Sequence, residues 1–319
     1  LERVIIDEEF HKSGISRGIG GQGPEMLVPT LLEHGSEEQN RAWVGPTIRG
    51  EVVWCQGYSE PNAGSDLAIV QTRAVDDGDD FVINGQQFWT TTAHLAEMMF
   101  ALIRTEPDAS KHAGLSYLLI PMDTPGIEIR PLKTMTGQSE FNEVFLTDVQ
   151  VPQTNVVGRR GEGWKIANTT LKHERNMLAS SALLEGVFGA LVAVMHQETS
   201  TGVRPIDSPM FRDSLLRLQA RLLSMQYHSL RMLTCNLKGE ATGISGLVTK
   251  LTGCELSHQI GALAIDALGE LGVLYDGAKS LRNMGMWQFQ YMFSLGLIIG
   301  GGTAQIQKNI ISERGLGLP

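Results

Sequence analysis

Trp54-Cys55-Gln56-Gly57-Tyr58-Ser59-Glu60-Pro61-Asn62-Ala63-Gly64-Ser65-Asp66-Leu67 is the stretch from which the fold can be read. A β-like run enters Glu-Pro, and Ala-Gly-Ser-Asp then makes a tight turn. The amides and hydroxyls of such a turn can converge on a polar ligand beside an aromatic wall, a setting suited to an amphipathic planar ring. Downstream, Gln87-Phe88-Trp89-Thr90-Thr91-Thr92 combines an indole with three hydroxyls. Either piece alone is also what β-propensity would produce.

Around this stretch, residues 53–158 have the texture of a β domain. The run 81–85 follows the turn-forming Asp77-Gly78-Asp79-Asp80, and Asn84-Gly85 is itself a hairpin signal. Further β-like runs fall at 69–75, 99–104, 116–121, 127–131 and 143–151. Short strands with turns and no intervening helices predict an antiparallel barrel or sandwich. Residues 159–319 return to helical spacing, with long segments at 164–194, 208–237 and 244–271 and shorter ones at 278–295 and 303–313. Long helices with short connectors predict an antiparallel four-helix bundle. Residues 1–52 read as a partial helical domain in which Ser36 is an N-cap. The fold class expected is α+β.

Other chemistry is absent from the pattern. Gly18-Ile19-Gly20-Gly21-Gln22-Gly23 matches GxGxxG, but no strand precedes it, so it reads as a helix–helix loop. There is no HExxH or Cys/His cluster, and the eight histidines are scattered, so no metal site is expected. GxSxG and a P-loop are likewise missing. With 26 basic and 35 acidic residues the net charge is −9, which argues against a nucleic-acid or anionic-membrane partner. No apolar run reaches the roughly 18 residues of a membrane span. Cys55, Cys235 and Cys254 form no CxxC pair, which fits a reducing, cytoplasmic setting.

Several blocks, taken in order, resemble the acyl-CoA dehydrogenase family, FAD flavoproteins that desaturate acyl-CoA thioesters between Cα and Cβ. Ser59 to Asp66 is similar to that family's Ser/Thr-Glu-Pro-x-Ala-Gly-Ser-Asp, and Asn84 to Thr91 to its Asn-Gly-x-Lys-x-Trp-Ile-Thr, with Gln87 at the Lys position. The strand 143–152 resembles the family strand ending Val-x-Val-Pro, and Gly302 to Gln307 the block Gly-Thr-x-x-Ile-Gln. The resemblance covers essentially the whole chain. Family members carry a larger N-terminal helical domain, longer by about 50–70 residues, on the order of half a typical domain.

The resemblance implies roles. Gln56, Tyr58 and Ser59 would line the pyrimidine end of the flavin, with Gly64 in the same loop and Ser65 between flavin and acyl-CoA. Trp89, Thr90 and Thr91 would pack on the ring's other side, the Thr91 hydroxyl near N5. Thr303 and Gln305 would contact FAD towards its adenosine and phosphate part. Asp266 to Gly272 resembles a Gln-x-x-Gly-Gly-x-Gly loop that reaches FAD across a dimer interface, with Asp266 for Gln, Gly269 retained and Glu270 for the second Gly. A second cross-subunit element survives only as Gly202-Val203-Arg204-Pro205-Ile206; either Arg204 takes over the pyrophosphate or FAD binds less tightly.

The base that many members place before the Gly-Thr block is Gly301 here, which keeps only a backbone NH for the thioester oxygen. Other members place a Glu on the first bundle helix, and His173-Glu174-Arg175 matches, so Glu174 is the expected base. Arg175 would meet the CoA side or tie the helix to its neighbours. Implied partners are an acyl-CoA, an electron-transfer flavoprotein or similar acceptor, and further copies in a homodimer or homotetramer, in fatty-acid or lipid catabolism. Two alternatives stay open: a catalytically silent subunit of a heteromeric dehydrogenase, and a monooxygenase or oxidase on the same scaffold.

Overall fold

Two strands that are buried along nearly their whole length, Met98–Arg104 and Leu115–Pro121, pair from Met98↔Pro121 to Arg104↔Leu115 and form the middle of a sheet. The computed structural model describes every residue of the chain except Leu1, Ser16, Arg17, Ile19 and Ala179, and gives only the backbone of residues 3, 4, 7, 8, 11, 12 and 176. The strands are β1 (Trp54–Gly57), β2 (Arg73–Asp77), β3 (Asp80–Thr91), β4 (Met98–Arg104), β5 (Leu115–Pro121), β6 (Ile127–Leu132), β7 (Phe141–Pro152) and β8 (Val156–Val157). They make one eight-stranded sheet in the order β6-β7-β3-β2-β4-β5-β8, with β1 pairing β4 off this path. The pairs are antiparallel except β1 with β4 and the single Arg73↔Arg104 contact of β2 with β4.

The path does not close, so the expected barrel or sandwich is an open sheet. The edge strand β6 alternates half-buried and exposed residues and pairs Glu128 with Arg130 on its outer face, and charges of this kind keep an edge from recruiting another strand. Asn84-Gly85 also departs from expectation, since it lies inside β3 while the β2–β3 turn is at Asp77–Asp80. Asn84 is held there by Asp148, through Nδ2 to Oδ1 at 2.9 Å and Asp148 N to Asn84 Oδ1 at 3.0 Å. At Gly85 the register shifts, and any Cβ would collide with the Thr72 side chain. The glycine serves close packing rather than a turn.

The helices are α1 (Glu2–Ser13), α2 (Val28–His34), α3 (Glu37–Arg49), α4 (Gly163–Leu178), α5 (Ser181–Met195), α6 (Pro209–Leu237), α7 (Ser245–Leu268), α8 (Met286–Ile299) and α9 (Ala304–Ile310). Ser36 caps α3 in a full capping box: its Oγ accepts from Gln39 N at 3.2 Å, and Gln39 Oε1 accepts from Ser36 N at 3.1 Å. The GxGxxG segment lies between α1 and a π-helical turn Gly23–Leu27, with no strand before it among the described residues; its Ile19 falls outside them. The predicted helix 164–194 is two helices, with Ser180 extended (φ −60°, ψ 123°) ahead of α5. The predicted helix 278–295 begins only at Met286, because Asn283, Met284 and Gly285 all take positive φ (49°, 51° and 76°).

Chain compactness divides the protein into one unit of residues 17–174 and another of 1–16 with 175–319. The first has its core on the sheet, around Phe81, Ile83, Ile103, Leu118 and Val144. In the second, α5, α6, α7 and α8 share a core around Leu191, Leu222, Ile260, Leu268 and Trp287. Contacts run in opposite senses along α7 and α8 (Lys250 to Ile298, His258 to Ser294), so this pair is antiparallel.

Candidate functional site

Glu60 organises the loop after β1. Its backbone closes a turn on Ala63 (N to O 2.8 Å and O to N 3.1 Å), and its buried carboxylate accepts from Gln71 N at 2.6 Å and Thr72 N at 2.7 Å. Arg104 on β4 donates to Val70 O (3.1 Å) and Ala68 O (2.9 Å), and Lys111 pairs with Asp66 at 2.7 Å. The loop is therefore framed at both ends, while Gly64 and Ser65 are exposed on it. This framing explains the Glu-Pro of the motif: Glu60 is structural.

The two sequence segments singled out above meet. Phe88 N donates to Ser59 O at 2.7 Å, which joins the end of β1 to β3. Just beyond, β3 carries a bulge, the pairing jumping from Gln87↔Val144 to Thr90↔Asn142. Trp89 within it is left-handed (φ 60°), and its indole is 54% exposed although Phe88 and Phe141 meet it edge-on. A bulge re-aims side chains, and here it turns the indole outward. Thr91 follows, half-buried, while Thr90 is wholly buried with no hydrogen-bond partner for Oγ1. Asn142 Nδ2 donates to Thr90 O at 2.9 Å and holds the bulge.

Gln56 is half-buried on β1, and the Tyr58 side chain turns inward between Phe100 and Tyr117, leaving its main chain for any contact with a ring outside. Burial first, then the neighbouring Tyr117, pushes the Tyr58 phenol well above its ordinary range. The Ser59–Phe88 contact thus joins the segment of Gln56, Tyr58 and Ser59 to that of Trp89, Thr90 and Thr91, and Glu174 belongs to the same unit, 17–174. One carboxyl here was not anticipated: Glu140, whose backbone O accepts from Thr92 N at 2.7 Å, is pushed up by burial. It lies between motifs, and no sequence signal marks it.

The remaining expected residues belong to the other unit. Arg175 is half-buried on α4, next to Glu174. Gly301 and Gly302 have φ 63° and 95°, where a side chain is strained. Buried Lys250 donates Nζ to Ile298 O (3.0 Å) and Gly302 O (2.6 Å), and Gln307 Nε2 donates to Gly301 O at 3.0 Å, so this loop is held by its carbonyls. Thr303 caps α9, accepting from Ile306 N at 3.2 Å, and Gln305 is exposed. Gly269 ends α7 with φ 59° and ψ −130°, a conformation confined to glycine, and Asp266 is exposed a turn earlier. Ser200 Oγ reaches Glu270 at 3.5 Å, so the two elements that depart from the family pattern adjoin. Arg204 is engaged by Asp207 through two bonds (2.9 and 3.1 Å).

The residues present fit a flavin. An outward indole backed by Phe141 offers a planar face, and the half-buried Thr91 hydroxyl and Ser59 offer polar contacts at its edge. Among the described residues no cluster of metal-binding side chains occurs, and no helix is long and apolar enough to cross a membrane.

Residues 55–149 match the acyl-CoA dehydrogenase middle domain, and 161–316 the acyl-CoA dehydrogenase C-terminal domain. The chain is 40% identical over 320 residues to Acyl-CoA dehydrogenase IpdE1 of Mycobacterium tuberculosis, covering 99% of this chain and 80% of that protein. Among solved structures it resembles the ChsE4-ChsE5 complex from Mycobacterium tuberculosis (TM-score 0.86, 30% identity, 99% of this chain and 82% of that one). It also resembles the Tcur3481-Tcur3483 steroid ACAD (TM-score 0.84, 30% identity, 92% and 76%). With matching sequence blocks, matching folds in both units and relatives of this identity, the chain belongs to the acyl-CoA dehydrogenase family, an oxidoreductase family.

Proposed function

We propose that the protein is an FAD-dependent dehydrogenase that forms a Cα=Cβ bond in an acyl-CoA thioester, with Glu174 as the base. The observation that supports this most is the contact of Phe88 N with Ser59 O, which brings the Ser59–Asp66 loop against the bulge that turns Trp89 outward, in the unit that also holds Glu174. Bound FAD, general in this family, supplies the acceptor for the β-hydride. Glu174 takes the α-proton, and the electron pair left at Cα forms the new double bond as the hydride leaves Cβ. An apolar pocket closed by the acyl chain would raise the basicity of the carboxylate towards what the weakly acidic α-proton needs. The Gly301 backbone NH donates to the thioester oxygen as charge develops there. With FAD bound, Trp89 would pack against the ring and the Thr91 hydroxyl would hydrogen-bond to its N5 edge.

Gln56, Ser59, Gly64 and Ser65 complete the cofactor and substrate side in the unit 17–174. Thr303 and Gln305 would contact the adenosine and phosphate portion, Asp266, Gly269 and Arg204 would reach FAD across a subunit interface, and Arg175 would meet the CoA side. Likeness to a protein named a steroid ACAD puts steroid-derived thioesters first among substrates to try. A heteromeric assembly is favoured by likeness to the ChsE4-ChsE5 complex, and in it this chain supplies a subunit beside a second, related one. An electron-transfer flavoprotein is the proposed acceptor.

The test is anaerobic titration of the purified, FAD-loaded protein, alone and with candidate partner subunits, against short, branched, long and steroid-derived acyl-CoAs. Bleaching of the flavin band by at least one thioester, with enoyl-CoA formed in equal amount, is expected. A flavin that no thioester bleaches in either form contradicts the reading.

A further inference from the structure

The Trp89 bulge is held by a two-step side-chain clip. Asn142, on β7 and wholly buried, donates Nδ2 to Thr90 O at 2.9 Å, and its Oδ1 lies 3.0 Å from Nδ1 of His94. His94 is exposed on the 3-10 helical turn Ala93–Leu95 that follows β3. Main-chain bonds close the same corner: Thr92 N donates to Glu140 O at 2.7 Å and Leu95 N to Thr92 O at 2.9 Å. Trp89 and Thr92, both left-handed (φ 60° and 54°), bracket Thr90 and Thr91. Such backbone persists in residues with side chains only where the surroundings fix it, and here the clip does so at the Thr90 carbonyl.

The chemistry of these groups decides which atom carries the proton. A carbonyl only accepts, so Thr90 O requires the amide nitrogen of Asn142 and turns the Asn142 oxygen towards His94. That oxygen also only accepts, so Nδ1 of His94 carries hydrogen. The neutral ring is therefore the Nδ1–H tautomer, the opposite of the form an imidazole in water favours.

We propose that His94 is a positioning residue for the flavin wall: through Asn142 it holds the Thr90 carbonyl, and with it the outward setting of the Trp89 indole and the place of the Thr91 hydroxyl. This rests on the reading of the bulge as the surface that packs against FAD. Pairing of β3 with β7 resumes at Thr90↔Asn142, so Asn142 is the first rung beyond the bulge. The Thr90 carbonyl shares a rigid peptide plane with Thr91 N, so holding it sets the direction in which Thr91 leaves the bulge. His94 in turn fixes the Asn142 amide. Without that donor the Asn142 oxygen is left buried and unsatisfied, a loss that exceeds what the bond itself contributes. The amide is then free to turn, and its hold on Thr90 weakens.

His94→Leu keeps much of the side chain's bulk and removes the donor, whereas His94→Gln keeps an N–H for the Asn142 oxygen. The FAD dissociation constants of both variants are measured beside those of the parent and Trp89→Gly. Nitrogen NMR of the histidine-labelled parent, at a pH where the ring is neutral, reads the tautomer, with the His94 signal identified by its absence in both variants. A ring protonated at Nδ1 is expected. FAD should be held about three- to tenfold more weakly by His94→Leu, and within about twofold of the parent by His94→Gln. The tautomer is read in the parent, so that arm stands should His94→Leu fold poorly. A ring protonated at Nε2 overturns the proposal. So does parent-like affinity in His94→Leu beside weakened binding in Trp89→Gly, or a loss that His94→Gln does not restore. Parent-like affinity in Trp89→Gly and His94→Leu alike would instead remove the wall reading, and the proposal with it.

Discussion

Trp89 holds a backbone conformation that costs a residue with a side chain about 1–3 kcal/mol, and its indole stays mostly in solvent. Strain with so little burial to offset it marks a side chain kept for what it binds. Trp89→Gly should therefore melt no lower than the parent, while its FAD dissociation constant rises by up to about tenfold through lost stacking. Weaker folding with unchanged FAD affinity would assign Trp89 to packing. At this scale the motifs single out Ser59 and Trp89, whose segments the structure brings together, and the sequence is silent where a role depends on distant neighbours. Tyr58 shows the limit: its motif position points to the flavin, but its ring turns inward because Phe100 and Tyr117 provide the apolar pocket. Glu140 and Lys250 were invisible for the same reason, since burial decides their character.

Element α4 is seated against the sheet through a glycine. A Cβ on Gly163 would come within 2.6 Å of Ser116 Cα and 2.8 Å of Leu115 O, backbone that cannot turn aside. Gly163→Ala should push the start of α4 off β5 and cost about 1–3 kcal/mol, read as a lowered denaturation midpoint. Flavin reduction should slow more than stability alone explains, because Glu174 is on the same helix; an unperturbed midpoint would show that the helix accommodates the methyl group. Hydrophobic periodicity located most elements, but not their ends. Asn84-Gly85 carries turn chemistry yet continues a strand, because Asp148 and Thr72 lie across from it. The start of α8 is delayed by left-handed Asn283 and Met284, which no local rule requires of those residue types. Openness of the sheet, likewise, depends on pairing between distant strands.

For the whole molecule, order of texture was enough to read helices, strands and a bundle, whereas assembly was only implied. Here α6 adds something: it buries Leu215, Leu218, Leu222 and Met225 inward, yet Leu216, Leu223, Tyr227, Leu230 and Leu237 recur along its outer face at coiled-coil spacing and are exposed. A second subunit covering this stripe is the assembly proposed. Leu223→Asp combined with Leu230→Asp should reduce the mass seen by light scattering while leaving helical circular dichroism intact; an unchanged mass would place the interface elsewhere. The central claim is that Glu174 takes the α-proton, and exchange of that proton with deuterated solvent in bound acyl-CoA tests it most directly. Glu174→Gln, still yellow and still binding acyl-CoA, should lose exchange and flavin reduction together by about 10²–10⁴-fold, and exchange at the parent rate in that variant would contradict the account.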